Sequence, residues 1–245
     1  MGDAAAVAGH IESELARAAD PDRAEKERAY LKSGLVFLGV GVPAARQVVR
    51  NAWKQGGGLD HEHLMATVDR LWESDIHEHR MAVVELLKLA TPGTLGIDDG
   101  PQLEHLLRTA RTRAYVDSLA ADVVGSLVVS EPKAWHPMLD QWASEPDFWI
   151  RRSALLSLLV PLRRGGGDFE RFARYADAML DEREFFIRKA IGWVLRETGR
   201  RRPELVADWI EPRVGRASGV TVREAVKHLD PQRRAGIMAA YAAAR

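Results

Sequence analysis

Apolar residues recur three and four positions apart along nearly all of the 245-residue chain and alternate at every second position almost nowhere. That pattern predicts helices, each burying one face, and no sheet. The helices are expected near 3–18, 22–33, 44–55, 60–73, 76–90, 101–110, 113–129, 133–143, 147–160, 169–180, 184–198, 203–211, 220–229 and 231–243. Breaks are expected at Gly56 to Gly58, Pro92–Gly93, Gly100–Pro101, Pro132, Pro146, Gly165 to Gly167, Pro203 and Gly219, where glycine and proline interrupt the pattern. Pro132, Pro146 and Pro203 suit the first turn of a helix or the residue before it. Helices of this length on short connections predict antiparallel pairs.

The pattern also repeats. FWIRRSALLSLL (148–159) is similar to FFIRKAIGWVLR (185–196), and IHEHRMAVVELL (76–87), YVDSLAADVV (115–124) and VTVREAVKHLD (220–230) fit the same frame more loosely. The frame places Arg80, Asp117, Arg152, Lys189 and Arg223 at one equivalent position, at intervals of 37, 35, 37 and 34 residues. Such a period belongs to helix-pair solenoids. Two residues after each anchor stand Ala82, Leu119, Ala154, Ile191 and Ala225; six after stand Leu86, Val123, Leu158, Leu195 and Leu229. All ten are apolar, so equivalent helices should bury equivalent faces and line their anchors along one surface of a curved stack.

Composition narrows the class. Hydrophobic residues make up 46% of the chain, with no apolar run of 18, so a soluble globular protein without a membrane span is expected. The N-terminal MGDAAAVAGHIESELARAAD carries acids within its apolar pattern and reads as an amphipathic helix, not a signal peptide. The absence of cysteine excludes disulfides, thiolate metal sites and a cysteine nucleophile. Net charge is zero, but residues 1–100 hold 11 Lys/Arg against 16 Asp/Glu, and residues 101–245 hold 24 against 19. Phosphate binding requires a local positive surface, not a positive total, so any nucleic-acid footprint should lie mainly in the last three-fifths.

The anchors carry the candidate chemistry. Taken singly, each of Arg80, Arg152, Lys189 and Arg223 is better explained by solvation or by pairing with Glu78, Glu184 or Glu224; taken in register, they read as a phosphate-tracking row. Asp117 is the one anion in the row. It is either a structural partner of Arg80 or Arg152, or a fixed anion awaiting positive charge that develops in a reaction. Trp193, four residues after Lys189, shares its helix face; it fills a core or meets what the cations meet. Trp72, Trp135, Trp142 and Trp209 default to core, and Trp149, three before Arg152, to partial exposure. His61, His63, His77 and His79 have metal-like spacing, but residues two apart diverge on a helix. No HExxH, P-loop or GxSxG motif occurs.

Together these stretches resemble the AlkD-like family of DNA alkylation repair proteins, over roughly residues 20–230. DPDRAEKERAYLKSGLVFLGVGVPAARQVVR (20–50) is similar to the family's N-terminal signature, with Phe37, Leu38, Gly39, Val40 and Pro43 in its FLGV-x-x-P turn. FWIRRSALL (148–156), EFFIRKAIGWVLRE (184–197) and VREAVKHL (222–229) resemble the later repeats in order and spacing. The resemblance implies an all-α, right-handed α-solenoid of HEAT-like helix pairs with a concave DNA-binding face. It would form a single domain over 1–245, with the signature helices in 1–56 and the helix-pair repeats in 60–245.

It further implies hydrolysis of the N-glycosidic bond of cationic N3- or N7-alkylated purines, bulky adducts included, in base-excision repair without deep base flipping. The family's catalytic Asp falls on Asp117, its channel Arg on Arg152 and its second channel Trp on Trp193. The first channel Trp is replaced by Arg113, which puts substrate range in question. Tyr115 and Trp149 are further candidates at the lesion. Arg80, Arg151, Arg188, Lys189, Arg223, Lys227 and Lys32 are candidates for the DNA backbone. The expected partner is double-stranded DNA containing an alkylated purine, bound by a monomer without metal or other cofactor, in the cytoplasm or at the nucleoid. Two alternatives remain open: a non-catalytic member binding damaged or branched DNA, and a protein-binding helical scaffold.

Overall fold

The structure, a computed structural model, describes residues 4–55, 57–90, 93–110 and 112–244. The positions of Gly56 and Pro92, two of the expected breaks, lie outside these residues. Among the described residues there is no strand, only one isolated parallel bridge between Val36 and Ile76. The α-helices are α1 (Ala4–Arg17), α2 (Pro21–Leu31), α3 (Val42–Gln55), α4 (His61–Glu73), α5 (His77–Leu89), α6 (Gly100–Thr109), α7 (Arg113–Ser118), α8 (Gly125–Ser130), α9 (Pro132–Trp142), α10 (Phe148–Leu156), α11 (Leu159–Arg163), α12 (Phe169–Ala178), α13 (Phe185–Gly199), α14 (Pro203–Ile210), α15 (Gly219–Ala225) and α16 (Pro231–Ala243).

The expected all-helical order holds, with local corrections. The helix expected over 147–160 is two, α10 and α11. Pro161 explains the break: its ring would clash with the carbonyl of Ser157 were the helix continuous. Gly125 of α8 lies against that turn, where a Cβ would stand 3.0 Å from the Ser157 oxygen. The helix expected over 113–129 contains a π-helical segment at Leu119–Val124 between α7 and α8. Pro132 and Pro203 open α9 and α14, whereas Pro146 precedes the N-cap Asp147 of α10.

The chain divides into two compact units, one ending at Leu119 and the other beginning at Ala120. In the first, α1 packs on α3 and α4, and both α3 and α4 pack on α5. Its centre is α5, which is buried along His77 to Leu87 and not on a single stripe. That burial obliges its polar residues to find partners. Glu78 is fully buried, and its carboxylate accepts the backbone N–H groups of Leu38 (2.9 Å), Gly39 (2.7 Å) and Val40 (3.1 Å). The FLGV turn is thus wrapped around one carboxylate. Gly39 has φ +81°, and a Cβ there would lie 2.0 Å from the Asp20 oxygen, so no other residue fits beneath the start of α2. Upstream, the strap is pinned to α5 by Val36 N–H to Asp75 O and His77 N–H to Val36 O, both 2.8 Å.

In the second unit α13 packs against α10, α11, α14 and α15. The ten positions set two and six residues after the anchors are all buried, from Ala82 to Leu229. The period also appears in the hydrogen bonds. Within the first unit, Arg46 reaches Glu85, Trp72 reaches Thr109 and Tyr115 reaches the His77 carbonyl, across 39, 37 and 38 residues. Within the second, Tyr175 reaches Asp140, Lys189 reaches Glu224 and Arg213 reaches Asp177, across 35, 35 and 36. Within each unit, side chains thus bond across about one repeat length, as a repeat architecture favours.

Candidate functional site

Thr112 caps α7 by accepting the Ala114 N–H (3.2 Å), which starts the helix at Arg113. Arg113 is exposed and makes no ion pair or hydrogen bond among the described residues. Asp117 stands one turn later on the same face and is half-buried. A π-helical segment begins two residues later, at Leu119; such segments widen a helix locally and recur at functional positions. Tyr115 turns the other way. It is buried, donates to the His77 carbonyl (2.9 Å) and also meets His77 Nδ1. Tyr115 therefore belongs to the interior of the first unit and not to the face of Asp117.

Several expected backbone cations are interior or committed, by one recurring device. Arg80, only 5% exposed, donates to the carbonyl of Ser74 six residues back (2.9 Å) and to Thr109 O (3.0 Å), with its guanidinium over the Trp72 ring. Arg151 reaches back six residues to Glu145 O and also binds Glu182 (2.8 Å). Arg188 reaches back six to Glu182 O (2.6 Å). Each satisfies carbonyls that a helix end or loop leaves open. Arg152, 1% exposed, donates to the Phe186 carbonyl of α13 and lies over the Phe186 ring. Arg80 and Arg152 are thus not a surface row. Trp149, expected near the lesion, is half-buried and packs its ring on Phe148 and Phe186.

The cations that do gather at the surface are organised by two buried carboxylates on α13 and α15. Glu224 accepts from Lys189 (2.8 Å), Lys227 (3.0 Å) and Arg196. Burial would raise its pKa, but the bonds from Lys189, Lys227 and Arg196 outweigh burial and hold it at about 2. Glu197 meets Arg163 (3.1 Å), Arg196 (3.1 Å) and Arg200 (3.2 Å). Five cations share two anions, leaving a surplus of positive charge. Arg163, Arg196 and Arg200 are absent from the sequence-based site. Arg196 was detectable as the residue three after Trp193 on one helix face; Arg163 and Arg200 carried no such signal, because Glu197 joins them from separate turns. Arg223 and Lys32 are exposed and without an ion pair among the described residues, Lys32 as the left-handed C-cap of α2 (φ 49°).

Trp193 lies between Lys189 and Arg196 on α13. It is half-buried, and among the described residues its ring has no aromatic or cation–π partner and its Nε1 no hydrogen bond. A flat ring left unpartnered beside cations suits contact with a sugar or base. Asp117 with Arg113 belongs to the first unit, and Trp193 with the cation cluster to the second. No group of three or more His, Asp or Glu capable of holding a metal is present among the described residues. His61 instead meets Asp99 (2.7 Å), His63 meets Asp60 (2.7 Å) and His79 meets Ser74 (2.9 Å). No described helix is long and apolar enough to cross a membrane.

Residues 11–229 match the model of a family described as DNA alkylation repair enzyme. Among solved structures, the chain is similar to a predicted DNA alkylation repair enzyme from Enterococcus faecalis, with 22% identity and TM-score 0.78 over 87% of this chain and 97% of that one. It is also similar to AlkD2 from Streptococcus mutans, with 16% identity and TM-score 0.56 over 78% of this chain and 91% of that one. The smu.31 protein of Streptococcus mutans UA159 has the same identity and TM-score over 90% and 100%. These likenesses show the fold. No curated protein matches the sequence.

Proposed function

Since the chain belongs to the DNA alkylation repair enzyme family, we propose that it is a monofunctional glycosylase releasing N3- or N7-alkylated purines, bulky ones included, from double-stranded DNA. The observation that carries this reading is Asp117, a half-buried carboxylate on α7 one turn from Arg113, which is exposed and has no ion pair among the described residues. Alkylation at N3 or N7 makes the purine a cationic leaving group, so its departure needs no general acid. The N-glycosidic bond breaks with both electrons passing to the base, which leaves neutral. The sugar becomes oxocarbenium-like, and a water oxygen bonds to C1′ and releases its proton. Asp117 stabilises the positive sugar and orients the water. Within the second unit, the unpartnered Trp193 ring suits contact with a sugar or base, and the cations around Glu224 and Glu197 suit the phosphate backbone.

A preorganised charge of this kind is worth about 3–4 kcal/mol, or roughly 10²–10³ in rate. Asp117→Asn should therefore slow base release from N7-methylguanine DNA by about that factor. Equal rates for the two proteins would remove Asp117 from the mechanism. Arg113 favours a second reading, because a cation replaces the aromatic residue expected beside the lesion. Binding to undamaged or branched duplex, with no base released from small or bulky adducts, would establish a non-catalytic DNA binder instead.

A further inference from the structure

Helix α13 leaves very little of itself uncovered, and what it leaves is regular. From Lys189 to the C-cap Arg200, the residues that are not buried are Lys189, Trp193, Arg196 and Arg200; every residue between them is buried. One turn before Lys189 stands Phe185, 55% exposed. The steps along these five residues are four, four, three and four. At 3.6 residues per turn they share one face about 80° wide and span about 22 Å of axis. A single exposed Phe needs no explanation. An open face that reads aromatic, cation, aromatic, cation, cation, with no acid in it, does.

The acids lie beneath this face. Buried Glu224 takes one N–H of Lys189 (2.8 Å) and one of Arg196, and buried Glu197 takes the Nε of Arg196 (3.1 Å) and of Arg200 (3.2 Å). An ammonium has three donors and a guanidinium five, so each head keeps N–H groups for a ligand outside. The carboxylates hold the heads in place, which lowers the ordering cost of binding. The rings are held in a similar way. Phe186 packs on Phe148 (6.2 Å) and Trp149 (4.8 Å), and Phe185 meets Phe186 at 5.6 Å and 74°, standing across that aromatic base and not within it.

The order of groups specifies the occupant. Ring and cation alternate about 6 Å apart along the axis from Phe185 to Trp193, and a nucleic-acid strand likewise alternates flat base and charged phosphate. A duplex hides its base faces in the stack and offers edges, sugars and phosphates. The two rings are also about 12 Å apart, several times the 3.4 Å step along one strand of a duplex. An unpaired strand can unstack, spread its bases and lay their faces on separate rings, which any base can do. An acidic protein segment would satisfy the cations and leave both rings idle.

We propose that this face of α13 is a track for single-stranded DNA, with bases stacking on Phe185 and Trp193 and phosphates meeting Lys189, Arg196 and Arg200. The track needs no lesion and no Asp117, so it stands or falls independently of the glycosylase reading. The test is affinity by fluorescence anisotropy for a labelled oligothymidylate, an abasic strand of equal length and a duplex of equal length. The abasic strand keeps the phosphates and lacks the base faces. Stacking one base is worth about five- to a hundredfold in affinity, so the oligothymidylate should bind at least about fivefold more tightly than the abasic strand. Phe185→Leu, which keeps apolar bulk at an exposed position, should bring most of that loss and leave the abasic strand and the duplex within about twofold of wild type. Phe185→Tyr should bind the oligothymidylate as wild type does. Arg200→Ala should reduce the slope of log K against log salt on the oligothymidylate by about 0.7. Equal affinity for oligothymidylate and abasic strand overturns the proposal, as does wild-type affinity for oligothymidylate in Phe185→Leu. Displacement of the oligothymidylate by an oligoglutamate of equal charge also overturns it and assigns the face to acidic protein segments.

Discussion

Replacing Glu78 by Gln exchanges one acceptor oxygen for an NH₂ group in a site with no solvent access. In the native arrangement Oε1 accepts from Gly39 and Val40 and Oε2 from Leu38. Gln can keep its oxygen on Gly39 and Val40 only by setting its NH₂ against the Leu38 N–H, donor to donor. A hydrogen bond to a charged group contributes about 1.5–3 kcal/mol and a neutral one about 0.5–1.5 kcal/mol. One bond is lost and two are weakened, which sums to about 4 kcal/mol. Glu78→Ala orphans all three donors, two of them buried, and leaves a void, for about 4–6 kcal/mol. Against a typical total of about 5–15 kcal/mol, the Ala variant should be close to unfolding. Urea denaturation gives the loss as a shift in midpoint at constant slope, and amide exchange at residues 38–40 should accelerate first. A Glu78→Gln protein within about 0.5 kcal/mol of wild type would refute the claim that this carboxylate holds the turn.

Two further outcomes test the cation cluster. The folded pKa of Glu224, about 2, lies below the ordinary 4.5; its contribution is therefore complete above pH 4.5 and is lost as pH falls from there toward 2. The loss should be about 2 kcal/mol after allowance for solvent screening, and a Glu224→Gln protein should show a flatter acid limb in thermal melts. If Arg200 neutralises a phosphate, Arg200→Ala should weaken DNA binding alike for all sequences and reduce the slope of log K against log salt by about 0.9. An unchanged slope would make Arg200 a structural partner of Glu197 only.

How much of this was legible in the sequence depended on whether neighbours along the chain decide the outcome. The ten apolar positions behind the anchors are all buried because helix faces follow a period that any reader can count. Pro161 was equally visible, yet the break at Ser157 was missed because apolar residues continue through it. The complete burial of α5 could not be counted, since its His77-Glu78-His79-Arg80 opening looks like a solvated turn. Its burial comes from α3 and α4 together with the 33–40 strap over Glu78 and His77, all brought to it only when the chain folds. The cations failed for the same reason. Sequence displays the charge of Arg80, Arg151 and Arg188 but not the carbonyl six residues back that each one holds. Asp117 stands out in the repeat frame as the one anion among the anchors, and Trp193 by sharing the helix face of Lys189; only their expected roles come from family likeness. The unpartnered state of Trp193 is a property of three-dimensional surroundings that no spacing encodes.

Hydrogen bonds that link positions about one period apart have a kinetic corollary. Inside each unit, ordering one helix pair closes only a short stretch of chain, and the next pair then adds to an existing template. Such topologies tie formation speed to local closure and not to bringing distant ends together. Helix α16, which buries only Ile237, should accordingly be the last segment to dock and the first to peel away, leaving α13 and α15 intact behind it.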